Sequence, residues 1–329
     1  MIIACLSGYD AELVRRLAGT DRIAVRIASG SGDQSEVAAL VKDADIVIAD
    51  AARRYVLDAA AIDAMDRCRF IQQPAVGYDT VDVARAAERG IPVSNAPGYN
   101  AAAVADWVIM ATLVVLRGGL TADATLRTPG WAAGLPLGVE LGSRTVGLVG
   151  MGAVARAVAE RLRGFGTDVI FTARTPREVE GARQVPLTGL LAEADVVSLH
   201  LPINDETRGI IGAAELAAMR EGAVLVNSAR GALVDHDALV EGLRAGRPAA
   251  AALDVFSPEP LPDDSPLRGL GNVYLSPHIA AGTWQARARV RSMVGENLRR
   301  VLAGRAPLHV VNRHHDEATQ SSATAAVQD

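Results

Sequence analysis

Lysine is almost absent from this sequence: Lys42 is the only one, and every other basic residue is arginine. A P-loop for nucleoside triphosphates needs a Gly-Lys pair, but the residue before Lys42 is Val41. A Schiff-base enzyme would have to use Lys42, which lies in a polar stretch with a helical pattern. The lack of lysine therefore excludes P-loop chemistry and disfavours Schiff-base chemistry.

Cysteine and several catalytic motifs are also scarce or missing. The two cysteines, Cys5 and Cys68, form no CxxC motif and no disulfide framework, which is typical of a protein in a reducing cytoplasm. The sequence lacks the HExxH motif of zinc proteases and the Gly-x-Ser-x-Gly turn of serine hydrolases. The adjacent His314 and His315 belong to the polar tail at the end of the sequence, and we expect no metal site.

The chain has little excess charge and no long apolar segment. Its formal net charge is −5, which argues against the basic surface that nucleic-acid binding requires. The longest apolar run, 107–116, is far shorter than the ~20 residues that cross a bilayer. No basic segment precedes the apolar stretch near the N-terminus. We therefore expect no nucleic-acid partner, no membrane partner and no signal peptide.

The length of 329 residues predicts two domains. Short β-branched runs alternate with helical patterns, and this rhythm predicts parallel sheets with helices on both faces. In the first part, the predicted strands are 2–6, 23–27, 46–49, 70–73 and 91–94, and the predicted helices lie near 10–18, 35–42, 57–66 and 80–89.

A second series of strands follows a long apolar helix at 101–117. Between the helix and the strands, the Gly- and Pro-rich residues 118–142 predict an extended, ordered excursion between the domains. The tail, 313–329, is polar without periodicity, and we expect it to be flexible. The predicted strands of this series are 145–149, 168–172, 195–199, 223–227, 249–253 and 272–275, followed by a helix at about 283–302.

The first strand of the second series leads into a Gly-x-Gly-x-x-Ala motif formed by Gly150, Gly152 and Ala155. The first glycine permits a tight turn, the second lets a pyrophosphate approach the backbone, and the alanine fits where helix packs on strand. The free N–H groups of the following helix would bind the phosphates. Because a strand precedes the motif and a helix follows it, the motif predicts a dinucleotide-binding site.

Three further polar segments follow predicted strands of the same domain. One contains Arg230, the next contains Asp254 and Glu259, and the third contains His278. In doubly wound sheets, ligands bind outside the carboxyl ends of the strands. We therefore expect all three segments to point at the crevice for the nicotinamide.

These segments, with residues 75–79 and 90–100, resemble the D-isomer-specific 2-hydroxyacid dehydrogenase family. The resemblance covers about residues 40–312. It implies that the catalytic residues are Arg230, Glu259 and His278.

The same resemblance implies the fold. The family consists of two Rossmann-like α/β domains with doubly wound parallel sheets, and the dinucleotide domain is inserted into the substrate domain. Here the flavodoxin-like substrate domain would comprise 1–97 and 285–312. The dinucleotide domain would comprise 98–284 and include the helix 101–117.

The chemistry of 2-oxo acid reduction agrees with these roles. A hydride must reach the carbonyl carbon and a proton its oxygen, and the His278 imidazole is of a type that titrates near neutral pH. Glu259 would orient this ring, and Arg230 would bind the substrate carboxylate and polarise the carbonyl. We expect NAD(P)H-dependent reduction of a small 2-oxo acid, of the glyoxylate or hydroxypyruvate type, to the D-2-hydroxy acid.

The resemblance also implies which residues contact the substrate and the cofactor. Val76 and Gly77 would bind the substrate carboxylate through backbone N–H groups, together with Arg230 and His278. Asp254 resembles the family's aspartate near the nicotinamide carboxamide. The implied cofactor-binding residues are Gly150, Gly152, Ala153, Val154, Arg174, Thr175, Leu201, Pro202, Thr207, Ser228, Ala229, Arg230, Asp254, His278 and Ala280.

The end of the second strand in this domain predicts a preference for NADP, with NAD as the alternative. NAD enzymes of this fold usually place an acid there, bonded to the ribose 2′-hydroxyl. Here the position is Ala173, followed by Arg174 and Thr175. No acid repels a 2′-phosphate, and Arg174 can bind one with Thr175 or Arg177 assisting. If Arg174 stacks on the adenine instead, both cofactors would be accepted.

Two positions depart from the family pattern. The Arg-Ser pair that many members carry after the third strand is Asp50-Ala51 here, followed by Arg53 and Arg54. An aspartate there disfavours an anionic distal group on the substrate. The Glu-His pair that often begins the long helix in the family is Asp106-Trp107 here, and we expect Trp107 to narrow or cap the pocket.

Other functions stay open at this point. The chain is also compatible with a 3-phosphoglycerate or other D-2-hydroxyacid dehydrogenase, or with a dinucleotide-sensing protein like the transcriptional corepressors that share the fold. Helix 101–117 is apolar on nearly every face, which is more than one core covers. The resemblance implies that this helix and residues 118–142 form a two-fold interface, so we expect a homodimer. The other expected partner is the small-molecule substrate.

Overall fold

The computed structural model of this chain describes residues 1–129, 131 and 134–312. The chain divides into two compact units. Of the described residues, the first unit comprises Met1–Tyr99 together with 284–312, and the second lies within Asn100–Thr283. The first unit is thus formed from two separate stretches of sequence. The predicted flexible tail, 313–329, lies outside the described residues.

Strands and helices alternate along both units. The strands are β1 (Ile2–Cys5), β2 (Ala24–Ile27), β3 (Ile46–Ile48), β4 (Ile71–Gln72), β5 (Val93–Ser94), β6 (Thr145–Val149), β7 (Asp168–Thr172), β8 (Arg183–Gln184), β9 (Val196–Leu199), β10 (Val224–Asn227), β11 (Ala250–Leu253) and β12 (Val273–Leu275). The α-helices are α1 (Ala11–Ala18), α2 (Ser35–Val41), α3 (Ala59–Asp63), α4 (Val83–Glu88), α5 (Ala101–Leu116), α6 (Gly119–Leu126), α7 (Ala153–Arg163), α8 (Leu187–Glu193), α9 (Ala213–Ala218), α10 (His236–Ala245) and α11 (Trp284–Leu302).

The first sheet is parallel, with the order β2-β1-β3-β4-β5. Residues 3–5 of β1 and 46–48 of β3 are fully buried, as expected for a parallel sheet with helices on both faces. The strand order reverses between β1 and β3, as in flavodoxin-like folds. The carboxyl ends of these two strands therefore flank a switch point, where doubly wound sheets bind their ligands.

The second sheet is also parallel, with the order β12-β11-β10-β9-β6-β7-β8. Counted from β6, this is the Rossmann order 3-2-1-4-5-6 with one additional strand at the end. Its switch point lies between β6 and β9. The two sheets confirm the predicted fold class of two Rossmann-like α/β parts.

Two elements differ from the sequence-based expectation. Each predicted strand is present, but β8 is not predicted, because two polar residues carry no strand pattern. The extended path expected for 118–142 is wrong for residues 119–126, which form α6. Gly118 has a φ of 57° and ends α5, so the chain can begin a new helix at once. The glycines and prolines that suggested an extended path flank α6 instead.

Helix α5 packs one side into the core of the second unit. Val104, Ala105, Val108 and Ala111 are buried in this core, where α5 packs against α7, β10 and β11. Among the described helices, none is by itself long and apolar enough to cross a membrane. Helices α5 and α6 meet the length and composition criteria only as a pair that is bent by 67°.

Candidate active site

The glycine-rich turn joins β6 to α7 at the switch point of the second sheet. Gly150 has a φ of 98°, and a Cβ atom there would lie 2.7 Å from the carbonyl oxygen of His200. A Cβ atom on Gly152 would meet nothing within 4 Å, so the turn leaves open space at that position. Gly152 is the N-cap of α7 and provides no side-chain hydrogen bond to the first turn. The N–H groups of that turn, which begins with Ala153 and Val154, are therefore available to bind phosphate. The turn therefore fits a dinucleotide.

The loop after β7 is held by one side chain from β8. The Gln184 amide nitrogen donates to the carbonyl oxygens of Ala173 (3.1 Å) and Thr175 (3.2 Å), and its oxygen accepts from the Arg177 N–H (2.8 Å). The Arg177 guanidinium donates to the Met151 carbonyl oxygen at 3.3 Å. These bonds connect residues 173–177 to the glycine-rich turn and leave the Arg174 side chain 86% exposed.

On the other side of the switch point, β9 leads into Leu201 and Pro202. His200 precedes them, and desolvation lowers its pKa to about 4, while its Nε2 lies 3.0 Å from the Ser198 hydroxyl. The Thr207 hydroxyl donates to the Pro202 carbonyl oxygen at 2.7 Å. The three cofactor candidates of this segment thus belong to one hydrogen-bonded turn.

The segment after β10 carries Ser228, Ala229 and Arg230. The Asn227 side chain holds it, because its amide nitrogen donates to the Arg230 carbonyl oxygen (2.9 Å) and its oxygen accepts from the Ala229 N–H (3.1 Å). The Ser228 hydroxyl is buried and has no hydrogen-bond partner among the described residues. A buried hydroxyl without a partner is costly unless a ligand completes it, which again fits a bound dinucleotide.

Glu259 and His278 lie 19 positions apart in the chain and are joined in the structure. His278 Nδ1 and a Glu259 carboxylate oxygen lie 2.9 Å apart. The other Glu259 oxygen accepts from the Phe256 N–H at 2.9 Å. A Cβ atom on Gly231, the residue after Arg230, would clash with the Phe256 backbone. This close approach brings the Arg230 segment against the one that holds Glu259.

The backbone at His278 adopts an uncommon conformation. Its φ is 54°, in the left-handed region, which costs a residue other than glycine about 1–3 kcal/mol. Its N–H donates to the carbonyl oxygen of Asp254 at 2.8 Å. Such strained residues cluster at functional sites, where the surrounding structure compensates for the strain.

Asp254 supplies that compensation. Its carboxylate is fully buried and accepts from the Ser276 hydroxyl (2.5 Å), the Ile279 N–H (2.8 Å) and the Ala280 N–H (2.8 Å). The resemblance assigns Asp254 to the nicotinamide, and the only sign in the sequence that it also supports His278 is the hydroxyl donor Ser276, two residues before His278.

The substrate candidates of the first unit lie in the loop after β4. The Asn95 side chain donates to the Val76 carbonyl oxygen at 2.8 Å, beside Gly77. In the same loop, Asp79 forms an ion pair of 2.6 Å with Arg53, whose φ is 64°. No group of three metal-ligating side chains occurs among the described residues.

The two positions that depart from the family pattern are both accounted for by local packing. The buried Asp50 carboxylate accepts from the N–H groups of Ala52 (3.1 Å) and Arg54 (2.8 Å) and pairs with the Arg54 guanidinium (3.3 Å). Its charge is therefore neutralised within its own turn. Trp107 is buried in the core of the second unit and stacks on Tyr274 with ring centroids 6.0 Å apart, so it is a core residue within that unit.

Comparisons with known proteins agree with this geometry. Residues 109–280 match the family model for the D-isomer specific 2-hydroxyacid dehydrogenase, NAD binding domain. A glyoxylate reductase from Aeropyrum pernix is 42% identical over 78% of this chain and 80% of its own length. One from Korarchaeum cryptofilum is 39% identical over 83% of this chain and 84% of its own.

A solved structure shows the same similarity over nearly the whole chain. It is an NADPH-dependent glyoxylate/hydroxypyruvate reductase from Sinorhizobium meliloti, in complex with NADP and malonate. It superposes with a TM-score of 0.84 at 32% identity and covers 94% of this chain and 96% of its own.

Proposed function

This chain belongs to the D-isomer specific 2-hydroxyacid dehydrogenase family of NAD(P)-dependent oxidoreductases, and we propose that its substrate is a small 2-oxo acid of the glyoxylate or hydroxypyruvate type. The product would be the corresponding D-2-hydroxy acid. The observation that carries the proposal is the Glu259–His278 pair on a strained, well-supported segment. A proton donor held in this way is what the reduction of a carbonyl group requires.

The protein's own groups would provide the proton and the binding of charge, while the bound nicotinamide supplies a hydride. The Glu259 carboxylate accepts from His278 Nδ1, so the second ring nitrogen, Nε2, would deliver the proton to the substrate oxygen. Arg230 would bind the substrate carboxylate and polarise the carbonyl group. The N–H groups of Val76 and Gly77 would bind the same carboxylate.

A panel of 2-oxo acids, assayed with NADPH and with NADH, tests this function. We expect the highest kcat/KM with glyoxylate or hydroxypyruvate, and D-glycerate rather than L-glycerate as the product from hydroxypyruvate. Formation of the L-isomer would contradict the proposal. Tight cofactor binding without turnover of any 2-oxo acid would favour the dinucleotide-sensing alternative.

We further propose that NADPH is the preferred cofactor. The position where an acid would bond the ribose 2′-hydroxyl is Ala173, and Arg174 follows with an exposed side chain. Its nearest acidic group is Glu206, at 3.8 Å, and both side chains are largely exposed. An exposed pair of this kind contributes little, so Arg174 would be available to a 2′-phosphate. The preference is expected to be about ten- to a hundred-fold.

The ratio of kcat/KM for NADPH to that for NADH tests this preference. We expect the double variant Ala173→Asp, Arg174→Ala to shift the ratio towards NADH. Arg183→Ala is the matched control, because it removes one arginine from β8, where its guanidinium pairs with Glu193 at 2.6 Å. A wild type that prefers NADH, or a double variant with an unchanged ratio, would show that this loop does not select the cofactor.

A further inference from the structure

One face of α11 in the first unit carries two arginines that rest on aromatic rings. Trp284, Arg287 and Arg291 follow one another at intervals of three and four residues, which places them on the same face of the helix. The Arg287 guanidinium carbon lies 5.4 Å from the centre of the Trp284 ring. That of Arg291 lies 5.9 Å from the centre of the Tyr9 ring. Each guanidinium group thus makes a cation–π contact with a ring of the same unit.

Neither arginine has an acidic partner within ion-pair distance in the part of the chain that the structure describes. The acidic residue of this helix, Glu296, pairs instead with Arg299 and Arg300, which lie three and four residues after it. The Nε atom of Arg291 is buried and has no hydrogen-bond partner among these residues.

The positive charges of Arg287 and Arg291, about one helical turn apart, are unfavourable for the helix by themselves. Like charges four residues apart destabilise a helix, and the cation of Arg287 in the first turn opposes the helix dipole. A buried donor without an acceptor adds a further cost. An anion bound between Arg287 and Arg291 would relieve all three, because it supplies negative charge and hydrogen-bond acceptors to both groups.

The position of these arginines in the fold is one where ligands bind. Tyr9 follows β1, and Asp50 follows β3, so both lie at the switch point of the first sheet. Burial raises the pKa of Tyr9 to about 12, and the positive charges of Arg291 and Arg287 oppose this rise. Both guanidinium groups therefore lie within electrostatic reach of the Tyr9 hydroxyl. Asp50 is already paired with Arg54.

We propose that Arg287 and Arg291, with Tyr9, form an anion subsite that binds a carboxylate or phosphate group. The group has two sources: the second anionic group of a longer 2-oxo acid, or a small free anion. The first source rests on the proposed function, while the second does not. The neutralised Asp50 removes the objection that its charge would repel such a group.

The experiment compares wild type with the double variant Arg287→Gln, Arg291→Gln. Glutamine keeps much of the side-chain length and removes the charge. Arg16→Gln, Arg305→Gln is the matched control, because it removes two exposed charges of the same unit. Substrates are used in matched pairs: 3-phosphohydroxypyruvate against hydroxypyruvate, and oxaloacetate against pyruvate. Calorimetric titrations with malonate and with inorganic phosphate measure the binding of free anions.

If the anion belongs to the substrate, the double variant raises KM about ten- to a hundred-fold for the member of each pair that carries a second anionic group. For glyoxylate and for the members with a single carboxylate, KM changes less than about two-fold. If the anion is free, wild type binds malonate or phosphate and the double variant does not, while all substrates respond alike.

The subsite is contradicted if the double variant and the control behave alike in both arms. Failure of the proposed function looks different: wild type would then reduce neither glyoxylate nor hydroxypyruvate. The calorimetric arm would still report on the subsite in that case. Equal circular dichroism spectra and unfolding midpoints of the two double variants check that the fold is retained.

Discussion

At the scale of single residues, His278 and Asp254 show how a reactive side chain is held by an unreactive one. His278 lies in a left-handed conformation that its own backbone disfavours. Asp254 accepts hydrogen bonds from Ser276, Ile279 and Ala280, on both sides of it. Because the carboxylate is buried, each of these bonds contributes more than it would in water. The chemistry proposed for His278 therefore depends on a residue that needs no reactivity itself.

Replacement of His278 by alanine should abolish most turnover while changing cofactor affinity far less, because the imidazole acts on the substrate and the backbone at this position is retained. Loss of a general acid costs about 10²–10⁴-fold in kcat, since the proton must then come from water. The measurement is kcat with the best 2-oxo acid together with the Kd of NADPH from fluorescence titration. A kcat within a few-fold of wild type would remove His278 as the acid.

His200 should make the protein less stable as the pH falls. Its pKa is lowered to about 4 in the folded chain by desolvation, whereas an unfolded histidine has a value of about 6.5. Between these values the unfolded chain binds the extra proton, so the free energy of unfolding decreases as the pH falls from about 6.5 towards 4.

Urea unfolding of wild type and His200→Gln over this pH range measures the effect. The free energy of unfolding of wild type should fall more steeply with decreasing pH than that of the variant. Because other acids and histidines titrate equally in both proteins, the difference between the two curves isolates His200. Parallel curves would mean that His200 is protonated normally in the folded chain.

At the scale of elements, the short strand β8 has an importance that its length does not suggest. Its two residues extend the second sheet beyond β7, and Gln184 bonds three points of the loop 173–177. Hydrogen bonds within the chain therefore hold the loop proposed to select the cofactor. Ordering a binding loop in advance lowers the entropy lost on binding.

Gln184→Ala should weaken NADPH binding more than NADH binding. Losing up to three partly exposed hydrogen bonds predicts about a three- to ten-fold higher Kd for NADPH. At saturating NADPH, kcat should change less than about two-fold, since Gln184 contacts no reacting group. The control is Arg183→Ala on the same strand, and equal effects of the two variants on the Kd would assign the change to β8 as a whole.

At the scale of the whole molecule, the second unit carries every residue proposed to bind the cofactor, and the first carries Val76, Gly77 and the arginine pair. The second unit also exposes an apolar surface near α6, where Leu120, Leu126, Trp131 and Leu137 are accessible, the last to 97%. Exposed apolar side chains of this kind are what a self-association surface would bury. It is consistent with the homodimer predicted from the helix 101–117.

The homodimer can be tested by light scattering of the protein after size-exclusion chromatography. Wild type at micromolar concentration should have twice the chain mass, and Leu120→Glu with Leu126→Glu should shift it towards the monomer, because two charges would be buried in the interface. Val56→Glu, at an exposed apolar position of the first unit, is the control. A monomeric wild type would contradict the prediction.

Local pattern was sufficient to predict much of this protein. Parallel strands are buried on both faces, so their apolar runs are visible in the sequence, and Gly150 and Gly152 mark a turn whose backbone demands are local. The segments of Arg230, Glu259 and His278 follow strands, and parallel strands place their carboxyl ends at one edge. The fold class and the position of these three segments therefore followed from local patterns, whereas the catalytic roles of Arg230, Glu259 and His278 came from the resemblance to the family.

The remaining features depend on contacts between residues far apart in the chain, which no local pattern contains. Gln184 donates a hydrogen bond to the Ala173 carbonyl oxygen because β8 pairs with β7. Trp107 is a core residue because Tyr274, far away in the sequence, stacks on it. Arg291 meets Tyr9 because the chain returns to the first unit after Thr283. Side-chain chemistry is determined by sequence, but which charges remain without partners is decided by what the fold places beside them.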